Sequence, residues 1–265
     1  MKKLIGIWMS ALLLLSACSS VPLTGRKQVL LVSDQEVLSA SLTQYTDYMK
    51  SAKKSSSKNE ANMVTRVGKN IAVATEQYLK NNGLESEIKN FSWEFSLVAD
   101  QQVNAFCMPG GKIVVYEGLM KVIDSEDELA VVIGHEVAHA VAKHSNERMS
   151  QQLMVQYGAQ ILGQALSKKS VAIQQIGTSV FGLGAQYGVM LPFSRKHEYE
   201  ADYMGLTFMA MSGYNPAVAV EFWQKMSAGN SETVPEFMST HPSDAARISE
   251  IKKRLPEIQK YQIKK

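Results

Sequence analysis

Two histidines, His135 and His139, stand four residues apart with Glu136 beside the first, in a stretch whose flanks are almost wholly apolar. Positions i and i+4 of an α-helix are neighbours on one face, so a helix here brings both imidazoles within reach of one cation. Glu136 projects to another part of the helix surface and stays free to take a proton from water at the metal. Two histidines with an intervening glutamate at this spacing are typical of zinc hydrolases. The sequence therefore predicts one zinc ion that activates water.

A third protein ligand must come from elsewhere in the chain, because a catalytic zinc site has three protein ligands and one open position. Residues 194–202, SRKHEYEAD, supply the candidates. Glu198 and Asp202 share a helical face, so Glu198 can bind the metal while Asp202 accepts the free N–H of a ligating histidine. Glu200 is predicted to point elsewhere. From the residues alone, His197, Glu198 and Glu200 each remain open, and an exposed charged helix turn is the alternative.

His144 is another candidate near the first pair, five residues after His139. The helix is predicted to continue through residue 148, which places His144 about 140° further round its axis. The metzincin pattern would need glycine at 142 and histidine at 145, whereas the chain has Ala142 and Ser145. We therefore predict a surface or supporting position for His144.

The elements that must position these residues are mostly helical. Ser33 and Glu36 predict a capping box at the start of a helix from Asp34 to about Met49, and a second helix is predicted from Asn59 to about Lys80. Apolar alternation and the turn signal Pro-Gly-Gly predict three strands, at 91–98, 103–108 and 112–116. The predicted fold class is α+β and predominantly helical, with a small β-sheet beside the active-site helix.

Residues 1–17 are typical of a secretion leader, with two lysines followed by an apolar run that is too short to span a membrane as a mature helix. The run ends in Leu-Ser-Ala-Cys, which resembles the cleavage site of bacterial lipoproteins. Cys18 is therefore predicted to be the first mature residue and to carry the lipid. An ordinary signal peptide next to a chance cysteine is the alternative.

This interpretation divides the chain into three parts: a signal peptide at 1–17, a lipidated tether at 18–33 and a zinc metallopeptidase domain at 34–265. The formal net charge is +3, and about +1 once the leader lysines are removed, which gives no reason to propose nucleic acid as a partner.

Cys107 lies in an apolar run and is predicted to be a buried thiol. Residues 170–194 contain no charged side chain, but apolar residues recur there at three- and four-residue steps. That pattern favours an amphipathic helix over the active cleft rather than a membrane span.

HEVAH and SRKHEYEAD together, with Glu198 placed 59 residues after His139, resemble metallopeptidase family forty-eight. This is the gluzincin group that includes HtpX and the CAAX prenyl endopeptidases. The resemblance implies three zinc ligands, His135, His139 and Glu198. It further implies Glu136 as the general base and Asp202 as the supporting acid.

Two further motifs, PLTGRKQ at 22–28 and Asn104-Ala105-Phe106 with the following Pro-Gly-Gly, resemble the envelope lipoprotein branch of the family and the related mitochondrial stress proteases. The similarity covers residues 22 to 253. Asn104, Ala105 and Phe106 are predicted to present a strand edge to which an extended peptide substrate adds. The resemblance also makes His241 a candidate latency ligand that occupies the open zinc position, with a helix-cap residue of no special role as the alternative.

The function expected from these features is zinc-dependent endoproteolysis of unfolded or misfolded proteins in the bacterial cell envelope. The expected partners are protein or peptide substrates and a membrane, reached through the lipid anchor at the outer membrane facing the periplasm; a homo-oligomer stays open. The alternative is a lipoprotein chaperone or assembly factor that uses the protease fold as a scaffold. A prenyl-type intramembrane protease would need several spanning helices.

Overall fold

A computed structural model describes residues 18–164, 194–228, 236–241 and 245–263. The predicted leader and residues 170–193 of the predicted cleft helix lie outside the described residues. The helices and strands are β1 (Cys18–Ser20), β2 (Lys27–Val29), α1 (Asp34–Ser51), α2 (Lys58–Asn81), α3 (Glu85–Ile88), β3 (Glu94–Val98), β4 (Ala105–Met108), β5 (Lys112–Tyr116), α4 (Glu117–Met120), α5 (Glu126–Val141), α6 (His144–Gln164), α7 (Arg195–Met211), α8 (Ala219–Ala228), α9 (Glu236–Thr240) and α10 (Ala245–Ile258).

The predicted fold class is confirmed, since helices dominate and a small sheet lies against α5. The capping box at α1 is also confirmed: the Ser33 hydroxyl accepts the Glu36 N–H, and the Glu36 carboxylate accepts the Ser33 N–H. The second predicted helix, α2, begins one residue earlier and ends one residue later than expected. In the structure, β3 and β4 begin later than predicted, at Glu94 and Ala105, while β5 has the predicted bounds.

The larger sheet has the strand order β3-β5-β4, with β5 in the centre. β5 runs parallel to β3 and antiparallel to β4. Gly110 and Gly111, with φ of +88° and +81°, form the turn between β4 and β5 in a conformation that side chains disfavour. β4 is thus an edge strand of this sheet, and it packs against α5.

α5 and α7 cross with their backbones in contact at Gly134 and Gly205. A Cβ atom at Gly134 would lie 2.7 Å from the carbonyl oxygen of Gly205, so neither position has room for a side chain. Apolar residues on both sides of Gly134 are fully buried, which fixes α5 in the centre of the core. The crossing brings the start of α7, with Glu198, against the histidines of α5.

The helix that carries His135 does not continue through residue 148, so that prediction is wrong. α5 ends at Val141, Lys143 adopts a left-handed conformation with φ of +56°, and α6 begins at His144. The Lys143 ammonium lies 2.6 Å from Asp34 Oδ2 and 2.8 Å from Glu87 Oε2. The left-handed conformation of Lys143 ends α5, because a left-handed residue cannot continue a right-handed helix. The two ion pairs hold the Lys143 side chain in place at this break.

The segment predicted as a tether, residues 18–33, packs against the rest of the chain. β1 and β2 form an antiparallel hairpin, and Val21 at its tip is 1% exposed and belongs to the main hydrophobic core. Within the described residues, no helix combines the length and the apolar character that crossing a bilayer requires.

Candidate metal centre

Four buried side chains, His135, His139, Glu198 and His241, bring one ligand atom each to a common point, all within 4.8 Å of one another. The Nε2 atoms of His135 and His139 are 3.0 Å apart. Glu198 Oε2 lies 3.3 Å from His135 Nε2, and Glu198 Oε1 lies 3.4 Å from His139 Nε2. Ligands at the usual zinc distances sit about 3.3 Å from one another in a tetrahedral site. The donors therefore have the spacing that a bound zinc ion requires.

The second nitrogen of His135 is held by an acid on α7. Its Nδ1 atom lies 2.9 Å from Asp202 Oδ1, so the N–H at Nδ1 donates to that carboxylate and the lone pair remains at Nε2. Asp202 itself accepts two bonds from the guanidinium of Arg247, at 2.6 Å from Nε and 2.8 Å from Nη2. The predicted contact of Asp202 with a histidine is therefore present in the structure, and its role in catalysis stays a prediction.

The chemistry of the donor set also fits a cation. With its N–H at Nδ1, His135 presents an Nε2 lone pair to His139 Nε2 at 3.0 Å, and a carboxylate faces both rings. Glu198 Oε2 is buried and makes no hydrogen bond among the described residues, and the guanidinium of Arg247 lies 3.2 Å from it. Burial works against ionisation, yet electrostatic attraction to the imidazoles of His241 and His135 holds the pKa of Glu198 well below its usual range. Burial lowers the pKa of His139 well below its ordinary value, so its ring is neutral and able to bind metal.

Glu136 projects from α5 beside the group of four donors, is 1% exposed and contacts β4. Its carboxylate accepts the backbone N–H of Cys107, while Oε1 has no hydrogen-bond partner among the described residues. Burial raises the pKa of Glu136 to about 7, against the opposing charge of His241. A carboxylate with this pKa can both take up and release a proton near neutral pH.

His241, the candidate latency ligand, lies inside the cluster of donor atoms. Its Nδ1 is 3.1 Å from His135 Nε2 and 3.2 Å from Glu198 Oε1. Its side chain is 2% exposed and stacks on Phe237 at 4.6 Å between ring centroids. The structure therefore places a fourth potential ligand at this point, which is where latency would require it.

Asn104, Ala105 and Phe106 lie at the start of the edge strand β4 and are buried. Asn104 accepts from Tyr116 of β5 through its carbonyl, so the alternation of an antiparallel pair directs the backbone groups of Ala105 and Cys107 away from β5. Asn104 Oδ1 is buried without a hydrogen-bond partner among the described residues. The outward edge of β4 thus lies beside Glu136, which accepts the Cys107 N–H, and the role of this edge in binding substrate stays a prediction.

Of the two positions predicted for His144, the structure shows the supporting one and not the surface one, because the break at Lys143 turns His144 back toward His139. It is fully buried, and its Nδ1 lies 2.9 Å from His139 Nδ1. Glu200, which the sequence left as a ligand candidate pointing elsewhere, is buried and lies 2.9 Å from His144 Nε2. His197, the remaining candidate, contacts Glu147 at 3.1 Å. Neither His197 nor Glu200 belongs to the group of four donors.

Sequence reasoning missed Arg247, which is 0% exposed and lies between Asp202, Glu198 and the ring of Trp223. It stands in a polar helix pattern that gives no sign of burial.

The prediction of a buried thiol at Cys107 is confirmed: the cysteine is free and buried, and burial raises its pKa.

A protein-family model described as Peptidase family M48 matches residues 58–255. The mitochondrial metalloendopeptidase OMA1 of Schizosaccharomyces pombe is 36% identical over 183 residues, 66% of this chain and 50% of the relative. OMA1 of Arabidopsis thaliana is 39% identical over 168 residues, 63% of this chain and 33% of the relative. The beta-barrel assembly-enhancing protease of Yersinia pestis is 34% identical over 168 residues, 61% of this chain and 34% of the relative. The chain spans half or less of the length of these curated relatives.

Proposed function

The chain belongs to peptidase family M48, and on this basis we propose that it is a zinc-dependent endopeptidase that cleaves unfolded or misfolded proteins of the bacterial cell envelope. The observation that carries the proposal is the buried group of donor atoms from His135, His139, Glu198 and His241, with Glu136 beside it. Two imidazoles and one carboxylate are a common ligand set of catalytic zinc.

His135, His139 and Glu198 would hold the metal, and Asp202 would keep the His135 ring in the ligating tautomer. When bound, zinc polarises the scissile carbonyl and makes water a stronger nucleophile. Glu136 would accept the proton of the attacking water and pass it to the leaving amine. The burial of Glu136 against β4 supports this role, because burial raises the pKa of its carboxylate to about 7.

The substrate would bind as an extended strand along β4. The outward backbone groups of Ala105 and Cys107 support this mode, since the Cys107 N–H on this edge donates to Glu136. Hydrogen bonds to the substrate main chain depend little on the substrate's side chains, so we expect broad specificity for unfolded segments. His241 would occupy the open metal position in the absence of substrate and hold the enzyme latent.

The proposed location rests on the N-terminal sequence. Residues 1–17 would be removed as a leader, and Cys18 would carry a lipid that anchors the protein to the outer membrane on its periplasmic side. The relatives have names that place some of them in mitochondria, so the compartment needs its own test. Radiolabelled palmitate incorporation that disappears in Cys18→Ser would support the lipid anchor, and label retained in that variant would exclude it.

Casein cleavage by the purified protein tests the activity. We expect cleavage that a zinc chelator abolishes, that added zinc restores and that Glu136→Gln eliminates. Glu126→Gln, an exposed position on the same helix, is the matched control and should remain active. Cleavage that persists in Glu136→Gln or in chelator would exclude the mechanism. Suppression of aggregation that Glu136→Gln retains, with no cleavage by the unaltered protein, would support the chaperone alternative.

Metal analysis of the purified protein tests the ligand set. The unaltered protein should contain one zinc ion, and Glu198→Ala should contain far less. Equal zinc content in both proteins would remove Glu198 from the ligand set.

A further inference from the structure

The second nitrogen of His139 faces another histidine, whereas that of His135 faces a carboxylate. His139 Nδ1 lies 2.9 Å from His144 Nδ1, and His144 Nε2 lies 2.9 Å from Glu200 Oε2. An ionised carboxylate only accepts, so the contact with Glu200 places the His144 proton on Nε2. His144 Nδ1 then carries a lone pair and accepts from His139 Nδ1–H. The metal-facing Nε2 of His139 is left with its lone pair.

Glu200 is held in place from the opposite side by the hairpin of β1 and β2. Thr24 Oγ1 donates to Glu200 Oε1 at 2.6 Å, and Arg26 Nε donates to Glu200 Oε2 at 2.7 Å. The rest of the Arg26 guanidinium forms a two-pronged ion pair with Glu147, at 2.8 Å from Nη1 and 2.6 Å from Nη2. Two hairpin side chains therefore fix the carboxylate that fixes His144.

The hairpin tip is anchored well enough to transmit this constraint. Val21 is buried in the main core, and its backbone N–H donates to Arg26 O at 2.8 Å, which closes the turn. Leu23 and Gly25 both adopt left-handed conformations with φ of +66°, so the turn that presents Thr24 has a defined shape. A strained turn persists only where its surroundings hold it.

We propose that the N-terminal hairpin is part of the metal site: Thr24 and Arg26, acting through Glu200 and His144, orient the ring of His139 and fix its tautomer. These four are positioning residues. The inference rests on the proposed zinc site and adds to it a route by which a segment more than a hundred residues from the ligands determines metal affinity. It also gives residues 18–33 a role beyond that of a tether.

Zinc affinity, measured by competition with a chromogenic chelator, tests the route without relying on peptidase activity. Replacing a residue that orients a metal ligand typically weakens metal binding by about 10–100-fold, so His144→Ala should raise the zinc Kd by a factor in this range. Glu200→Ala and Arg26→Ala should raise it by about tenfold or less. Glu200→Gln should retain more affinity than Glu200→Ala, because an amide oxygen still accepts from His144. Lys27→Ala, next to Arg26 and bonded to Ser20, is the control and should leave the Kd unchanged.

A double-mutant cycle separates this route from general destabilisation. His144→Asn keeps an acceptor for His139 but removes the link to Glu200, so Arg26→Ala should have no further effect on zinc affinity in that background. The absorption spectrum of the Co²⁺-substituted protein should shift in Glu200→Ala and stay unchanged in Lys27→Ala. Arg26→Ala and Glu200→Ala that lower thermal stability while keeping the zinc Kd would overturn the inference alone. An unaltered protein that binds no zinc would overturn the proposed function as well.

Discussion

His241 Nε2 lies 3.3 Å from Glu136 Oε1, and the opposite nitrogen of the same ring faces Glu198 at 3.2 Å. One imidazole therefore contacts both the proposed base and a proposed ligand. The backbone N–H of Phe237 donates to Val103 O at 3.1 Å, two residues before β4 begins. The segment from Phe237 to His241 thus covers the metal centre and the start of the edge strand at once.

Replacing His241 with alanine should raise proteolysis if the proposed latency holds, because it removes the side chain that would occupy the position of attacking water. A contact worth about 1.4 kcal/mol would give an increase of about tenfold. Initial rates of casein cleavage at fixed zinc concentration measure this. Phe237→Ala, which removes the ring stacked on His241, should give a smaller increase in the same assay. Lowered or unchanged activity in His241→Ala would count against latency.

The parts of the site that follow from local geometry could be predicted, and the parts set by distant contacts could not. His135 and His139 meet because of helix periodicity alone, and Asp202 follows Glu198 by the same rule. Glu198 itself needed the family resemblance, because nothing local distinguishes it from His197 or Glu200. His144 was misplaced on the helix since the reversal beside it depends on two acids far away in the chain.

Arg247 could not be identified for a similar reason. An arginine in a polar helix pattern is usually exposed, and its burial here depends on Asp202, 45 residues earlier. The pairing of Arg26 with Glu147 and Glu200 spans 121 and 174 residues. Hydrophobic periodicity shows which face of an element is buried, but it carries no record of which buried charges meet.

Replacing Glu136 with glutamine should stabilise the metal-free protein at high pH. The pKa of Glu136 is raised from 4.5 to about 7 by burial, so between these values the folded state holds a proton that the unfolded chain releases. Stability therefore falls as pH rises through this window, and glutamine removes the fall. We expect Glu136→Gln to match the unaltered protein below about pH 4.5 and to exceed it by about 1–3 kcal/mol above pH 7.

Urea unfolding of the two metal-free proteins measures this difference. Measurements from about pH 4 to pH 8 cover the range between the two pKa values of Glu136, 4.5 and about 7. Glu126→Gln is the control, and its difference from the unaltered protein should not follow the same curve. A constant difference at every pH would show that the Glu136 carboxylate does not carry the raised pKa.

Replacing Arg247 with lysine should destabilise the protein although the charge is kept. The guanidinium makes two bonds to Asp202, donates to His241 O at 3.2 Å and lies 4.1 Å from the Trp223 ring centroid. An ammonium cannot reproduce this planar set, and the loss should stay below the about 3–5 kcal/mol that removing one partner of a buried pair outright costs. Urea unfolding of the metal-free protein measures the loss, with the exposed Arg254→Lys on the same helix as control. Equal stability of Arg247→Lys and the unaltered protein would contradict the buried pairing.

Replacing Gly205 with alanine should weaken both the fold and the metal site, because the backbones of α5 and α7 touch there. A Cβ at Gly205 would lie 2.6 Å from Gly134 C and 2.6 Å from His135 N, and neither backbone atom can move aside alone. The helices must separate, which costs about 1–3 kcal/mol and draws Glu198 away from the imidazoles. Thr207→Ala, which removes atoms from the same helix instead of adding them, should lower stability and leave zinc affinity unchanged. Urea unfolding and chelator competition on both variants distinguish the two effects, and an unchanged zinc Kd in Gly205→Ala would show that this crossing does not set the distance between the ligands.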